Sequence, residues 1–403
     1  MATLNAMTNI GRRSRKVIDA YRTVNQRSPA SLDGDDGSWL HVGSLLEHAG
    51  LLPEGERAPY LDIVAKTVKR SIGADQWRAG HRTDPPQLRH GDTLESRMRV
   101  FCEVIEDAGA FELADAVLCA YVGADARISR VECGRVEAVR ARLAWKRGAL
   151  DVAEDMYRGV AMAARRLHCD ELRVRAWIGR AIVARLRGNY PASRRYGQNA
   201  IVLAERSELR RLASTAHHTL MVAAAVGKEF DAAVEHGWHS FLNADGDVTL
   251  ESGALCDIGH LFLDSGHPTT AMAAFQAVLA RKPSNRIAIP VLGGFAVAAA
   301  RLALPEQVLI ATEDILARAN SGATAYDIAT ALVDLTRAHL AIGNEVRAET
   351  FREQAHALAV SKGFHEIVHH TNEVVRQRTA PRECVLSPRV QSVAADVRHL
   401  ASV

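Results

Sequence analysis

A glycine recurs along this chain at a nearly constant interval. Successive marks are separated by 39, 40, 39, 39 and 77 residues, and they are Gly109, Gly148, Gly188, Gly227, Gly266 and Gly343. The last interval is almost two periods, and its midpoint falls at Leu304. An alanine or serine follows each mark after five residues, except that Gly227 has one extra residue before Ala233. A fixed period of this length indicates a stacked repeat array, in which each unit buries its apolar face against its neighbours.

The unit at residues 252–283 shows what one repeat contains. Its apolar side chains recur at helical spacing on both sides of the turn Gly266-His267-Pro268. Glycine permits the turn conformation, and proline is compatible with the first turn of the helix that follows. The unit therefore predicts a pair of antiparallel helices joined by a short turn.

The same unit resembles the tetratricopeptide repeat. The resemblance lies in the pattern Leu255-x2-Ile258-Gly259-x2-Phe262, followed by Ala271-x3-Phe275 and Pro283. A second unit is similar at Trp177, Ala181, Gly188, Tyr190 and Ala200, and two others match less fully, at Ala141/Gly148/Ala153 and at Leu335/Gly343/Ala348/Ala355. Because the period exceeds the usual 34 residues, the array resembles the long-helix variety found in sensor regions of bacterial transcriptional regulators. The resemblance implies an all-α, right-handed α-solenoid of about seven antiparallel helix-turn-helix repeats with helical caps.

The pattern divides the chain into four segments. Residues 95–362 form the predicted repeat array, and residues 363–378 are predicted to be a C-terminal capping helix. Residues 379–403 contain two early prolines and are predicted to be a flexible tail. Residues 1–94 lie outside the repeat phase, and they are interpreted as an N-terminal helical cap or as a small helical domain.

Composition excludes several classes of protein. No apolar run approaches the length of a membrane helix, and the N-terminal residues lack the apolar core of a secretory signal. The six cysteines contain no C-x-x-C pair and are too sparse for a disulfide framework. We therefore expect a cytoplasmic protein.

Charge is segregated along the sequence. Residues 135–211 contain 18 Lys and Arg against 8 Asp and Glu, whereas residues 229–264 contain 8 Asp and Glu and no Lys or Arg. In the tetratricopeptide family the first helix of each hairpin lines the concave surface. The resemblance therefore implies that five basic side chains point into the groove: Arg135, Arg142, Lys146, Arg175 and Arg185. In the alternative interpretation, the arginines are only solvent-exposed residues of the convex face. We expect this role for Arg165, Arg166, Arg194 and Arg195.

An acidic peptide or protein is the partner that this basic stretch predicts, because arginine binds carboxylates through two parallel hydrogen bonds. Nucleic acid is less favoured, since aromatic residues make up only 5% of the chain and stacking platforms are scarce.

The sequence His365-Glu366-Ile367-Val368-His369 has the spacing of a zinc-protease motif. Aligned by the repeat, however, these residues fall in an ordinary first turn of a helix, and a protease also needs a third ligand and a substrate-binding strand. We therefore expect no catalytic site, no metal and no cofactor.

The function expected from the sequence is a non-catalytic, peptide- or protein-binding scaffold or sensor. Two alternatives remain open. One is a transcriptional regulator whose N-terminal helices bind DNA, and the other is a zinc metallohydrolase that uses His365, Glu366 and His369.

Overall fold

The structure is a computed structural model that describes residues 129–319, 325–362, 364–374 and 383–401, together with single helical residues between 111 and 118. Throughout these ranges the regular secondary structure is α-helical. The all-α repeat fold is therefore confirmed. The predictions for residues 1–94 and for the first repeat, which begins at residue 95, lie outside the described ranges. No described helix is both long enough and apolar enough to cross a membrane.

Six hairpins follow one another along the described chain. Their first helices are α1 (Arg130–Lys146), α3 (Asp170–Leu186), α5 (Arg210–Val226), α7 (Val248–Asp264), α9 (Asn285–Arg301) and α11 (Ala325–Ala341). Their second helices are α2 (Leu150–Arg166), α4 (Tyr190–Arg206), α6 (Phe230–Leu242), α8 (Pro268–Ala280), α10 (Pro305–Arg318) and α12 (Glu345–Lys362). Two further helices complete the described chain, α13 (His365–Glu373) and α14 (Pro388–Leu400).

Every turn inside a hairpin places one residue in the left-handed backbone region. In four of the six hairpins this residue is the recurring glycine, Gly148, Gly188, Gly266 or Gly343, with φ between 73° and 85°. A side chain at such a φ crowds the following carbonyl group, which is why glycine is favoured there. The period read from the sequence is therefore a period of left-handed turns.

The other two hairpins have no glycine at this position. After Gly227, which is not left-handed, Lys228 takes the left-handed conformation with φ 59°, and this accounts for the extra residue before Ala233. In the hairpin of α9 and α10 the left-handed residue is Ala303, with φ 56°. Leu304 then caps α10, and Pro305 occupies its first turn.

The chain divides into two compact units, and the division falls inside α3, between Leu172 and Arg173. In the first unit α1 packs against α2, and the two helices bury Leu143, Ala144 and Tyr157 among other residues. Gly134 of α1 lets Leu172 approach closely, because a Cβ atom at position 134 would lie 2.6 Å from Leu172 Cδ1.

The second unit, from Arg173 onward, contains an extended hydrophobic core that runs from Val234 to Val397, beside two smaller clusters in α3 to α6. At its centre the ring of Phe275 in α8 fills the space left by a glycine in α7 and a glycine in α9. A Cβ atom at Gly259 would lie 2.5 Å from Phe275 Cε1, and one at Gly294 would lie 2.5 Å from Phe275 Cζ. Three helices therefore meet around one aromatic side chain.

The C-terminal region differs in part from the expectation. Helix α13 lies within the predicted capping segment and packs against α11 and α12. Residues 388–400 lie within the range predicted to be a flexible tail, yet they form α14, which packs on α6 and α8. Its contacts are made with residues more than 100 positions away, as in the pair Arg398–Thr270, and no local sequence pattern reveals them.

Candidate functional site

The first helices supply the surface on which a binding site was predicted. Each of the six described first helices contains 17 residues, so positions in them correspond directly. In the second unit α7 packs beside α5 and α9, and α9 packs beside α11. Side chains at equal positions on these neighbouring helices therefore form rows across the surface.

Three of the five predicted basic residues lie in the first unit. Arg135 is engaged within the protein, since its Nη2 lies 2.6 Å from Oε2 of Glu171 and its Nε donates to both carboxylate oxygens of that residue. The Lys146 ammonium lies 5.9 Å from the centre of the Trp145 ring. Arg142 is half-buried. A ligand carboxylate at Arg135 would therefore compete with Glu171.

The other two predicted residues, Arg175 and Arg185, lie on α3 in the second unit. Arg175 is exposed. Arg185 is half-buried, and desolvation lowers the pKa of its guanidinium. Among the described residues, the buried Nε of Arg185 has no hydrogen-bond partner. An acidic ligand that accepts a hydrogen bond from this Nε would offset the desolvation of Arg185.

The row formed by the last residues of the first helices changes character along the second unit. It begins with two exposed apolar side chains, Leu186 at 42% and Val226 at 51% exposure. It continues with two charged residues, Asp264 at the end of α7 and Arg301 at the end of α9. A row of this composition offers apolar contact at one end and ionic contact at the other.

Asp264 and Arg301 belong to an ionic cluster that sequence reasoning did not identify. Desolvation raises the pKa of Asp264, whereas His260, Arg337 and Arg301 act in the opposite direction. Desolvation likewise lowers the pKa of Arg301, whose Nη1 donates to the backbone oxygen of Leu263.

Helix α11 contributes the rest of this cluster. Asp334 is buried and accepts a hydrogen bond of 2.9 Å from Nη1 of Arg337. It lies so close to α9 that a Cβ atom at Gly293 would be 3.0 Å from its Oδ2. Asp264 and Arg301 have displaced pKa values, and such groups are candidates for a functional site. The sequence contained one indication of this cluster, since Asp264 and Arg301 are equivalent residues of successive repeats.

Three histidines form a separate cluster in the hairpin of α5 and α6. His217 is buried, and its Nδ1 lies 3.2 Å from Nδ1 of His236. The ring of His217 also stacks on that of His239, with centroids 5.0 Å apart. Desolvation, followed by the charges of His239 and His236, lowers the pKa of His217 to about 3. The imidazole of His217 is therefore neutral at physiological pH.

The zinc-protease-like motif lies on α13. His365, Glu366 and His369 are exposed, and Glu366 forms a side-chain hydrogen bond with Tyr326 that contributes to raising the tyrosine pKa, an effect mainly of desolvation. Across the described ranges, no group of three or more His, Cys, Asp or Glu side chains is placed to hold a metal ion. The structure therefore gives no support to the metallohydrolase alternative.

The sequence matches no protein-family model, and no curated protein matches it. Among solved structures, the P58(IPK) TPR domain matches at 14% identity over 84% of this chain and 98% of that chain, with a TM-score of 0.24. A circular tandem repeat protein with novel repeat topology and enhanced subunit contact surfaces matches at 16% identity over 99% of both chains, with a TM-score of 0.20. At these TM-scores neither superposition supports a conclusion about function, and the repeat fold rests on the helices themselves.

Proposed function

We propose that this protein is a non-catalytic repeat scaffold that binds a peptide or protein segment along the surface of its first helices. An α-solenoid presents such a surface because each repeat adds one first helix beside the previous one. The row that runs from the exposed Leu186 and Val226 to Asp264 and the half-buried Arg301 suits a ligand with both apolar and charged side chains.

The partner is proposed to be acidic where it meets α3. The observation on which this rests is Arg185, a desolvated guanidinium whose Nε has no hydrogen-bond partner among the described residues. Arg175 lies on the same helix and is exposed. A carboxylate offsets the desolvation of an arginine because it accepts charge-assisted hydrogen bonds.

In the first unit, Arg135, Arg142 and Lys146 are proposed as partner-binding residues by themselves, with a weaker role for Arg135 because Glu171 already binds it. The cytoplasm is the proposed compartment. The four described cysteines, Cys133, Cys169, Cys256 and Cys384, are free thiols, as is usual in a reducing environment.

A peptide array that varies in net charge tests this function on the full chain. We expect the bound peptides to be rich in Asp and Glu, and we expect raised salt to weaken their binding. The double variant Arg175→Glu/Arg185→Glu should lose these peptides. A matched control, Arg206→Glu/Lys228→Glu, makes the same change of charge at two exposed positions outside the first helices and should retain them.

Two results would overturn the proposal. One is a set of bound peptides with no enrichment in acidic residues. The other is equal binding by the parent and by the Arg175→Glu/Arg185→Glu variant, with unchanged circular dichroism in both proteins.

A further inference from the structure

Helix α14 occupies a surface formed by two second helices, α6 and α8. It buries side chains at a spacing of three, four and seven residues, namely Val390, Val393, Ala394 and Val397. This is the apolar stripe of an amphipathic helix. Its remaining side chains face solvent or lie at the edge, so α14 is held by one face only.

The residues just before α14 contact the turn between α7 and α8. The backbone N–H of Cys384 donates to the backbone oxygen of Ser265 at 3.0 Å, and the Cys384 oxygen lies 2.9 Å from Nε2 of His267. The other ring nitrogen of His267 lies 3.3 Å from the carboxylate of Glu383. These contacts set the position at which the segment reaches the second helices.

The surface beneath α14 is built for a helix. Ala273 and Ala277, the sixth and tenth residues of α8, are buried, whereas the equivalent residues of α4, Arg195 and Asn199, are exposed. Thr270 lies on the same side of α8 and accepts a hydrogen bond of 2.8 Å from Nη1 of Arg398 in α14. Small residues at these positions let a second helix approach closely, as large polar ones would not.

The repeats have core contacts that α14 does not make, although the four buried residues of α14 belong to the same hydrophobic core. Phe275 fills the space between α7, α8 and α9 from inside the repeats, against Gly259 and Gly294. Helix α14 is the last described element of the chain, and no later element packs on it. Its departure would expose the alanine stripe of α8 while leaving the stacking of α7, α8 and α9 in place.

An acidic side chain lies at the edge of this surface. It is Glu235 of α6, one of the eight acidic residues in 229–264, of which five pair with Arg or His residues outside α14. Helix α14 is basic by comparison, and Arg389, exposed at 82%, reaches Glu235 of α6 at 3.5 Å. A helix that replaces α14 therefore needs an Arg or Lys opposite Glu235.

We propose that the surface of α6 and α8 beneath α14, the outer groove, is a docking site for a basic amphipathic helix of a partner protein, and that α14 is a resident occupant which the partner helix replaces. The partner helix carries valine- or alanine-sized residues at a spacing of three, four and seven. It also carries an Arg or Lys opposite Glu235 and another opposite Thr270. This groove is formed by second helices, and its function does not depend on the ligand of the first helices.

Anisotropy with a fluorescent peptide of residues 383–401 tests whether the groove accepts a helix from outside the chain. The full-length variant Val393→Asp/Val397→Asp has an undocked α14 and should bind this peptide about tenfold more tightly than the parent, because apparent affinity scales with the fraction of open grooves. The control Val346→Asp/Val385→Asp changes two side chains that are 82% and 96% exposed, and it should bind as the parent does. A peptide with both arginines changed to Glu should bind more weakly.

A milder variant, Arg389→Glu/Arg398→Glu, keeps the apolar stripe, and it provides the same comparison if circular dichroism shows that the first variant has lost helix. Peptide display on the undocked variant then identifies the preferred ligand. We expect enrichment of basic helices with the α14 spacing.

The proposal is overturned if the peptide binds the parent and both undocked variants equally, or if display enriches no such pattern. It is also overturned if the undocked variant forms a mixed dimer with the parent in light scattering, because the occupant would then be the α14 of a second copy.

Discussion

The histidine cluster of α5 and α6 predicts that this protein loses stability between about pH 6.5 and pH 3. An unfolded histidine has a pKa near 6.5, whereas desolvation lowers that of the buried His217 to about 3. Between these values the unfolded chain binds a proton that the folded chain does not, so the free energy of unfolding falls with pH by about 1.4 kcal/mol per unit. At pH 5 the loss from His217 alone is therefore about 2 kcal/mol. His236 acts in the same direction, because desolvation and His239 lower its pKa although Glu235 raises it.

Urea unfolding followed by circular dichroism at several pH values measures this loss, and hydrogen exchange in α5 and α6 locates it. Replacing His217 by Leu removes the titrating group, so the pH dependence should become shallower by about 2 kcal/mol between pH 7 and pH 5. The matched control is His370→Leu, which changes an exposed histidine of α13 and should keep the slope of the parent. If the parent and His217→Leu lose the same free energy over this range, the neutral state assigned to His217 is wrong.

Three further changes have expected outcomes. Ala303→Gly should stabilise the protein by about 0.5–1 kcal/mol in urea unfolding, because it relieves a left-handed alanine. Gly259→Ala should destabilise it by about 1–3 kcal/mol, since the added Cβ would lie 2.5 Å from Phe275. His365→Ala should leave thermal stability and peptide binding unchanged, and metal analysis of the purified parent should find no stoichiometric zinc.

For each of these three changes, one result would contradict the structural reasoning. A destabilised Ala303→Gly variant would contradict the backbone conformation of the turn, and an unchanged Gly259→Ala variant would contradict the close approach of Phe275. One zinc per chain that is lost in His365→Ala would restore the metallohydrolase alternative.

The repeat fold was predictable because its signal is local. A left-handed turn favours glycine, so the turns at Gly148 and Gly266 can be recognised in the sequence. Lys228 and Ala303 show where this signal fails, since each takes the same conformation without being a glycine. The constant spacing of the repeat still predicted the positions of the two hairpins that contain Lys228 and Ala303.

The proposed binding surfaces were less predictable because their residues are distant in sequence. Asp264, Arg301 and Asp334 come from three helices, and only the stacking of repeats brings them together. The sequence of α14 indicates an amphipathic helix with an apolar stripe of Val390, Val393, Ala394 and Val397. The neighbouring sequence does not indicate which surface this stripe covers. The sequence indicates that surface only at Ala273 and Ala277, because the second helices of the other described hairpins do not have alanine at these two positions.

The long sequence separation between α8 and α14 has a consequence for synthesis. Residues 268–280 leave the ribosome about 100 residues before residues 388–400. At roughly 5–20 residues per second this delay lasts about 5–20 s. Every newly made chain therefore passes through an interval in which α8 is complete and its own C-terminal helix does not yet exist. A helix supplied by another protein at the site of translation meets an empty groove during that interval, and it needs to displace nothing.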